Sequence, residues 1–151
     1  MKASQIMSKN VITVKRDTTI EDIAHILTNN KISGVPVVDD ENRVVGMVTE
    51  KDLLYKDIEP HFPPVIEILG GLIFLKGVKK YNEELRKLVA TKAEDIMTKD
   101  IITVEEDMTV GRIAELMIEK EINRLPVLKD DKLTGIISRA DVVRSMSEMY
   151  E

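Results

Sequence analysis

The sequence predicts an α/β (α+β) protein built from two β-α-β-β-α repeats. Sliding the 151-residue chain along itself by 90 positions aligns Ile12-Thr13-Val14 with Ile102-Thr103-Val104, and an offset of 89 aligns Gly46 with Gly135. Such self-similarity indicates an internal duplication. Within each copy, short β-branched runs alternate with a stretch whose apolar residues keep a helical spacing, which favours a mixed helix and sheet unit.

The duplication divides the chain into repeat 1 (residues 1–56), an insert (57–90) and repeat 2 (91–151). A repeat of about 55 residues is marginal for a stable core of its own. We therefore expect the two repeats to pack against each other with pseudo-two-fold symmetry.

Each repeat reads in the same order. An opening strand leads to a helix that is N-capped by Thr19 or Thr109, then to a Pro-Val strand, an acidic turn, another strand and a closing helix. The predicted strands are Val11–Val14, Val35–Val38 and Val44–Val48 in repeat 1, and Ile101–Val104, Leu125–Leu128 and Leu133–Ile137 in repeat 2.

The insert repeats nothing. Asp57–Pro64 should be irregular because consecutive prolines stop a helix, and the apolar segments Val65–Leu69 and Leu72–Leu75 flank Gly70-Gly71. Tyr81–Ala90 has the pattern of an amphipathic helix. We expect a partly helical insert that packs on its own pair of repeats or makes an oligomer contact.

One motif occurs twice, at the junction of the last strand and the closing helix. Gly46–Asp52 and Gly135–Asp141 both read glycine, two apolar residues, a hydroxyl residue, two variable residues and Asp. The hydroxyl residue, Thr49 or Ser138, is a good N-cap, so the motif is compatible with a simple capping box. The same amide-rich turn can instead hold a phosphate, while the Asp accepts hydrogen bonds from ribose hydroxyls.

Composition limits the function classes. With 43% hydrophobic and 32% charged residues the chain should be globular, and its net charge of −5 without a long basic run argues against nucleic-acid binding. The absence of cysteine excludes disulfides and thiolate catalysis. The N-terminus lacks a signal-peptide pattern, and the longest apolar run, Ile68–Leu75, is far short of the ~20 residues that span a bilayer. We expect a soluble, cytoplasmic protein with no membrane contact.

The repeated landmarks are specific. An Asp-Ile-Met-Thr-type opening (Gln5–Ser8 and Asp95–Thr98), a Pro-Val strand and a closing Gly-x-x-Ser/Thr-x-x-Asp occur in the same order in both copies. In this respect the chain resembles a tandem pair of CBS domains, the Bateman module, over about residues 1–56 and 91–148. The resemblance implies a regulatory module, not an enzyme, that binds AMP, ADP, ATP or a related adenosyl ligand and signals by conformational change.

The resemblance also implies two clefts, each built from both repeats. The opening strand and the segment before Pro-Val of one repeat hold the base, and the closing motif of the other holds ribose and phosphate. The first cleft would combine Ser8, Ile12, Thr13, Ile32, Ser33 and Gly34 with Ile136, Ser138 and Asp141. The second would combine Thr98, Ile102, Thr103, Ile122 and Asn123 with Met47, Thr49 and Asp52.

Positive charge is uneven between these clefts. Arg124 matches a basic residue that the family often has before Leu-Pro-Val, whereas Gly34 stands at that position in repeat 1. Within the motifs, Arg139 and Lys51 add charge for phosphates, and Glu50 opposes it. We expect phosphate-bearing ligands to prefer the cleft with Asp141, near Arg124 and Arg139.

An enzyme is the alternative from another class, but the residues give it little support. Gly70–Lys76 lacks the pattern of a Walker A loop, and neither a nucleophile elbow nor a His-Glu-x-x-His motif occurs. His25 and His61 are expected at the surface. No catalytic residue, cofactor or structural metal site is predicted, and magnesium enters only as a companion of bound ATP.

Two further alternatives stay open at this stage. The chain could be a structural or protein-interaction module whose clefts bind no nucleotide, or its ligand could be S-adenosylmethionine or a cyclic dinucleotide. In each case we expect a homodimer, because the closing helices and the insert present apolar faces, and a regulated partner protein that the sequence does not identify.

Overall fold

The computed structural model describes residues 1–55, 65–68, 71–74 and 89–150. Within these residues the predicted fold class is confirmed, since helices and strands follow the same order in the two repeats apart from an opening strand that only repeat 2 forms. The elements are α1 (Ala3–Ile6), α2 (Ile20–Asn30), β1 (Gly34–Val38), β2 (Val44–Thr49), α3 (Glu50–Leu54), β3 (Val65–Ile68), β4 (Gly71–Phe74), α4 (Ala93–Ile96), β5 (Val104–Glu105), α5 (Val110–Glu119), β6 (Arg124–Lys129), β7 (Lys132–Ser138) and α6 (Arg139–Met149).

Helices α2 and α5 begin where the sequence predicts. The hydroxyl of Thr19 accepts a hydrogen bond from the amide of Asp22 at 3.2 Å, and Thr109 makes the same cap with Arg112 at 3.4 Å. Each helix turns an apolar stripe inward, and the stripes contain Ile20, Ile23 and Leu27 in α2 and Val110, Ile113 and Met117 in α5. Full burial of one such side chain contributes about 1.5–3 kcal/mol, so the stripes hold these helices in place.

Strands β6 and β7 form an antiparallel hairpin that pairs Leu125 with Ile137 and Val127 with Gly135. Asp130 and Asp131 join the strands with φ angles of 51° and 63°. Two adjacent left-handed residues are typical of the two-residue hairpin turn whose twist matches the strands, and Asp tolerates that conformation better than most residues.

The opening strands are shorter than predicted. In repeat 1, residues 11–13 are irregular and only Val14 makes a bridge; in repeat 2 the strand begins at Val104. The parallel ladder of β5 with β6 contains only two pairs, Val104 with Val127 and Glu105 with Leu128. The β-branched residues before it suit a half-buried extended segment, but strand character depends on a partner, and the described ladder ends there.

Contacts divide the chain into two compact units that do not coincide with the repeats. Unit 1 contains Met1–Thr13, Pro36–Met47 and Lys99–Glu151, and unit 2 contains Val14–Val35 and Val48–Thr98. Unit 1 therefore combines α1 of repeat 1 with most of repeat 2, and unit 2 combines α4 of repeat 2 with much of repeat 1.

In unit 1 the first residues of the chain pack on repeat 2. The amide of Ala3 donates to the carbonyl of Met108 at 2.8 Å, and the amide of Ser4 donates to Glu106 at 3.0 Å. Ala3 is fully buried in one cluster whose other buried members are Val104, Val110, Ile113, Met117, Leu125, Val127, Ile137 and Val142. The core of repeat 2 is thus completed by a residue of repeat 1.

Unit 2 shows the corresponding arrangement around α4. The amide of Ala93 donates to the carbonyl of Thr18 at 2.8 Å, and the amide of Ile20 donates to Thr91 at 3.0 Å. Ala93 is fully buried, as Ala3 is in unit 1. The opening turn of repeat 2 is therefore fixed at the start of α2 in repeat 1.

The described part of the insert is a hairpin, which the sequence interpretation missed. Strand β3 pairs antiparallel with β4, with Val65 opposite Phe74 and Ile68 opposite Gly71. The β-branched residues on both sides of Gly70-Gly71 were the available signal. The irregular turn expected at 57–64 and the helix expected at 81–90 lie outside the described residues, except that Val89 and Ala90 are not helical.

The first testable prediction concerns Gly135, because its Cα faces the side chain of Met7. A Cβ built on Gly135 overlaps Met7 Sδ and lies 2.7 Å from Met7 Cγ and 3.0 Å from Met7 Cβ. Replacing Gly135 with Ala should lower the free energy of unfolding in urea by about 1–3 kcal/mol, because the buried contact cannot open without moving Met7. Adding Met7→Ala should make the double variant less unstable than the sum of the two single changes.

Gly111 is the matched control. It lies in the first turn of α5, and a Cβ there meets nothing within 4 Å. Gly111→Ala should leave stability unchanged or raise it by up to about 1 kcal/mol through helix propensity. Equal losses for the two glycine variants would contradict the proposed contact with Met7.

The second prediction uses the carboxyl group that caps α4. The amides of Thr91 and Lys92 each donate to Asp95 Oδ2 at 3.1 Å, and these bonds hold the pKa of Asp95 below its ordinary value. A lowered pKa stabilises the folded state above the pKa of the unfolded chain, and this stabilisation disappears as the pH falls through the folded pKa. Asp95→Asn should cost about 0.5 kcal/mol at neutral pH, at the low end for a cap because the side chain is exposed.

Denaturant unfolding of both proteins from pH 7 downwards checks this effect, since the difference should vanish in acid. Gln5 is the neutral control, because its Oε1 accepts from the amide of Lys2 at 2.7 Å at the equivalent position of α1. Gln5→Ala should cost the same at every pH, and a pH-independent cost of Asp95→Asn would contradict the assignment.

Candidate functional site

In repeat 1 the closing motif forms a strand-to-helix junction, and its residues from Val48 onward belong to unit 2. Asp52 is only 7% exposed, and its Oδ2 accepts from the amide of Thr49 at 2.9 Å and from the Thr49 hydroxyl at 3.2 Å. The next amide, that of Glu50, donates to the carbonyl of Ser33 at 3.0 Å. The junction is therefore fixed both to its own helix and to the segment that precedes the Pro-Val strand.

The junction of repeat 2 repeats this geometry in unit 1. Asp141 is also 7% exposed, and its Oδ2 accepts from the amide of Ser138 at 2.8 Å and from the Ser138 hydroxyl at 2.7 Å. The other oxygen, Oδ1, accepts from Nη2 of Arg144. The capping role considered from the sequence is thus present in both motifs, and it uses the same carboxylate oxygen each time.

This geometry leaves a defined role for the second oxygen. A ribose diol needs an acceptor, and Oδ2 is already occupied by the two donors of the cap. A carboxylate has about four lone-pair sites on its two oxygens, so one group can cap the helix through Oδ2 and bind hydroxyls through Oδ1. At Asp141 such binding would take place at the oxygen that Arg144 now contacts.

Unit 1 brings several predicted ligand residues to the junction of repeat 2. Ser8 and Ile136 form an isolated antiparallel bridge, with the Ser8 amide donating to Ile136 at 2.9 Å and the Ile136 amide donating back at 3.0 Å. This bridge joins the opening segment of one repeat to the closing motif of the other, the combination that the family resemblance implies for the first cleft.

The segment before β6 lies beside the same junction. The amide of Arg139 donates to the carbonyl of Asn123 at 3.1 Å, and Arg139 Nε donates to the carbonyl of Ile122 at 3.3 Å. Arg124 is opposite Ser138 in the β6–β7 ladder, so the two side chains share one face. Arg124 and Arg139 therefore both belong to this end of unit 1, close to Ser138. Ile122 and Asn123, which the resemblance assigns to the cleft with Asp52, thus bond to the motif of their own repeat.

The remaining predicted residues divide between the units. Unit 1 contains Ile12, Thr13, Met47, Ile102 and Thr103, and unit 2 contains Ile32, Gly34, Lys51 and Thr98 in addition to the junction residues described above. Gly34 and Met47 are buried, Lys51 and Thr98 are exposed, and the others are half-buried. Ile102 and Ile122 pack on the core of unit 1, which leaves only part of each side chain for a ligand. The assignment of all these residues to a ligand stays a prediction.

Sequence reasoning missed Arg144. The available signal was its position three residues after Asp141 on the closing helix, a spacing that places a basic and an acidic side chain on the same face. Repeat 1 has Tyr55 at the equivalent position, so an arginine at this place occurs only in the motif of repeat 2.

Histidines, acidic clusters and long apolar helices are the features that would indicate other kinds of site. His25 is exposed on α2, as expected, whereas His61 lies outside the description. Among residues 1–55, 65–68, 71–74 and 89–150, no group of three or more His, Asp or Glu side chains is placed to hold a metal ion. No helix in that part of the chain is both long and apolar enough to cross a membrane.

Comparison with known proteins points to one family. The family model for the CBS domain matches residues 3–59 and 93–148. The Methanocaldococcus jannaschii protein MJ1426 is 32% identical over an alignment of 155 residues, gaps included, which covers 97% of this chain and 91% of that protein.

Solved structures share the fold. The crystal structure of CBSX2, a protein of Arabidopsis thaliana, in complex with AMP has a TM-score of 0.81 at 26% identity and covers 99% of both chains. The CBS domain pair of protein MJ0100 in complex with 5′-methylthioadenosine and S-adenosyl-L-methionine has a TM-score of 0.70 at 25% identity, covering 97% of this chain and 99% of that one. Since the family model matches both repeats and well over half of the chain, this protein belongs to the CBS domain family.

Proposed function

We propose that this protein is a regulatory module that binds an adenosine nucleotide at its two closing motifs and has no catalytic activity of its own. The observation that carries the proposal is the pair of buried carboxylates, Asp52 and Asp141, held in the same way at two strand-to-helix junctions. The structural similarity to CBSX2 in complex with AMP supports an adenosine ligand.

The junctions offer the chemistry that such a ligand needs. At each one a helix begins behind a hydroxyl residue, where amide groups and the helix dipole favour a phosphate. The Asp in the first turn accepts hydrogen bonds from ribose hydroxyls through Oδ1. In unit 1, the bridge between Ser8 and Ile136 adds backbone from the other repeat beside the motif.

The two junctions differ in charge. Arg124 and Arg139 lie near Ser138, whereas the equivalent positions of repeat 1 carry Gly34 and Glu50. A phosphate is attracted by the first set and repelled by Glu50. We infer that AMP and ATP prefer the junction with Asp141, where magnesium would enter only with ATP.

S-adenosylmethionine is the second candidate ligand, because the similar MJ0100 pair is solved with it and with 5′-methylthioadenosine. It shares the adenosyl group but carries a positive sulfonium in place of a phosphate. Arginines near Ser138 disfavour that charge, so the phosphate-bearing ligand is the primary proposal.

The third prediction tests the ribose assignment by calorimetric titration of AMP, ATP and adenosine. Asp141→Asn and Asp52→Asn should each weaken binding at one site by roughly tenfold or more, because a charge-assisted hydrogen bond contributes about 1.5–3 kcal/mol. Each variant is the control for the other. The fold should persist, because the amide oxygen of Asn can still accept from the capping N–H.

Two results would count against the proposal in different ways. If the nucleotides bind and neither variant changes the titration, the ribose contact lies elsewhere. If AMP, ATP and S-adenosylmethionine neither bind nor raise the melting temperature, an interaction module without a nucleotide is favoured, since a ligand at 100 times its Kd stabilises by about 2.7 kcal/mol.

If the nucleotides bind, Arg124→Ala should reduce the affinity for ATP more than the affinity for adenosine.

The fourth prediction concerns assembly. Val143, Met146 and Met149 are 65%, 42% and 60% exposed on one side of α6, which is more apolar surface than a helix usually leaves to solvent. We propose that a second copy of the chain covers this side, forming a homodimer. Sedimentation at micromolar concentration should give a dimer, and Val143→Glu with Met149→Glu should give a monomer. A monomeric wild type would contradict the proposal.

A further inference from the structure

The ion pair between Arg144 and Asp141 lies at the oxygen that the proposed ligand needs. Arg144 Nη2 donates to Asp141 Oδ1, and the side chain of Arg144 is 61% exposed whereas that of Asp141 is 10% exposed. The guanidinium therefore covers the outer oxygen of a carboxylate that is otherwise enclosed by its own helix cap.

Unlike an ordinary surface ion pair, this pair competes with the proposed ligand for the same carboxylate oxygen. Both oxygens of Asp141 are occupied here, Oδ2 by Ser138 and Oδ1 by Arg144. A ribose diol that binds Oδ1 must therefore displace Arg144. Because the pair is solvent-exposed on the arginine side, it is weak enough to be exchanged for such a ligand.

The displaced guanidinium remains close to the phosphate region. Side chains of a helix lean toward its N-terminus, which is why Arg144 reaches back one turn to Asp141. Asp141 Oδ2 is itself 2.7 Å from Ser138 Oγ, at the start of the helix where a phosphate would bind. Arginine presents several donors in a planar fork that suits phosphate oxygens.

We propose that Arg144 is a specificity-determining residue. It lowers the affinity of the Asp141 site for neutral adenosyl ligands and raises the affinity for ligands that carry a phosphate. The inference rests on the proposed function. Arg144 contacts Asp141 Oδ1. A neutral ligand must break this contact without replacing it, whereas a nucleotide supplies a phosphate that accepts the released guanidinium. This mechanism is specific to repeat 2, because the equivalent residue of repeat 1 is Tyr55, which has no positive charge.

The fifth prediction compares adenosine with AMP, since these ligands differ only in the phosphate. Arg144→Ala should tighten the binding of adenosine by about threefold, because an exposed ion pair no longer competes. It should also reduce the ratio of AMP affinity to adenosine affinity by roughly tenfold, the scale of one lost charge-assisted contact. Arg144→Lys, which keeps the charge but not the fork, should give an intermediate ratio.

Calorimetric titration of the full chain provides the measurement, with two controls. Arg112→Ala removes the same charge from α5, where Arg112 pairs with Glu115 at 2.9 Å, and it should leave the ratio unchanged. In the Asp141→Asn background, Arg144→Ala should no longer tighten adenosine binding, since the competing contact is already weakened.

The outcomes separate this inference from the proposed function. If wild type binds AMP and adenosine but Arg144→Ala leaves their ratio within twofold, the role of Arg144 is overturned and the proposed function stands. The same conclusion follows if Arg112→Ala changes the ratio as much as Arg144→Ala. If wild type binds neither ligand, both proposals fail together.

Discussion

The hydrogen bonds between Asp141 Oδ2 and Ser138 fix the point at which β7 becomes α6. The first amides of a helix have no partner within it, and at a buried junction an unsatisfied amide costs about 1–3 kcal/mol. The carboxylate meets this need and is itself held in place by the same bonds. The position of the backbone around Ser138, and hence of Arg139 and the residues bonded to it, depends on this short motif.

A carboxylate used in this way is also prepared for a ligand. Its rotamer is set by the cap, so no side-chain entropy has to be lost when a ribose binds, which is a form of preorganisation. The cost is that only one oxygen remains for recognition. The proposed role of Arg144 depends on this limit, because Arg144 contacts the remaining oxygen of Asp141.

Local rules predicted most of the elements. The caps at Thr19 and Thr109 and the strand-to-helix junctions follow from patterns within a few residues, and the duplication follows from their recurrence 89 or 90 positions later. The opening strands were predicted too long, because strand length depends on the partner strand. The placement of Ala3 on repeat 2 and Ala93 on repeat 1 was not predicted, since hydrogen bonds between residues about 75 to 105 positions apart leave no local pattern. Arg144 was not predicted, because it lies outside the repeated motif and its counterpart in repeat 1 is Tyr55.

The closing helix of repeat 2 connects the two proposed activities of the chain. Asp141 and Arg144 lie in its first two turns, and the exposed residues Val143, Met146 and Met149 follow along its length. An 11-residue helix is about 16 Å long and moves as one rigid element. A ligand that replaces Arg144 at Asp141 changes the contacts at one end of this element, so any resulting shift of α6 also moves the apolar side. A rigid helix can couple the Asp141 site to the apolar side without a chain of intermediate residues, provided that the ligand prefers one of two positions of the helix.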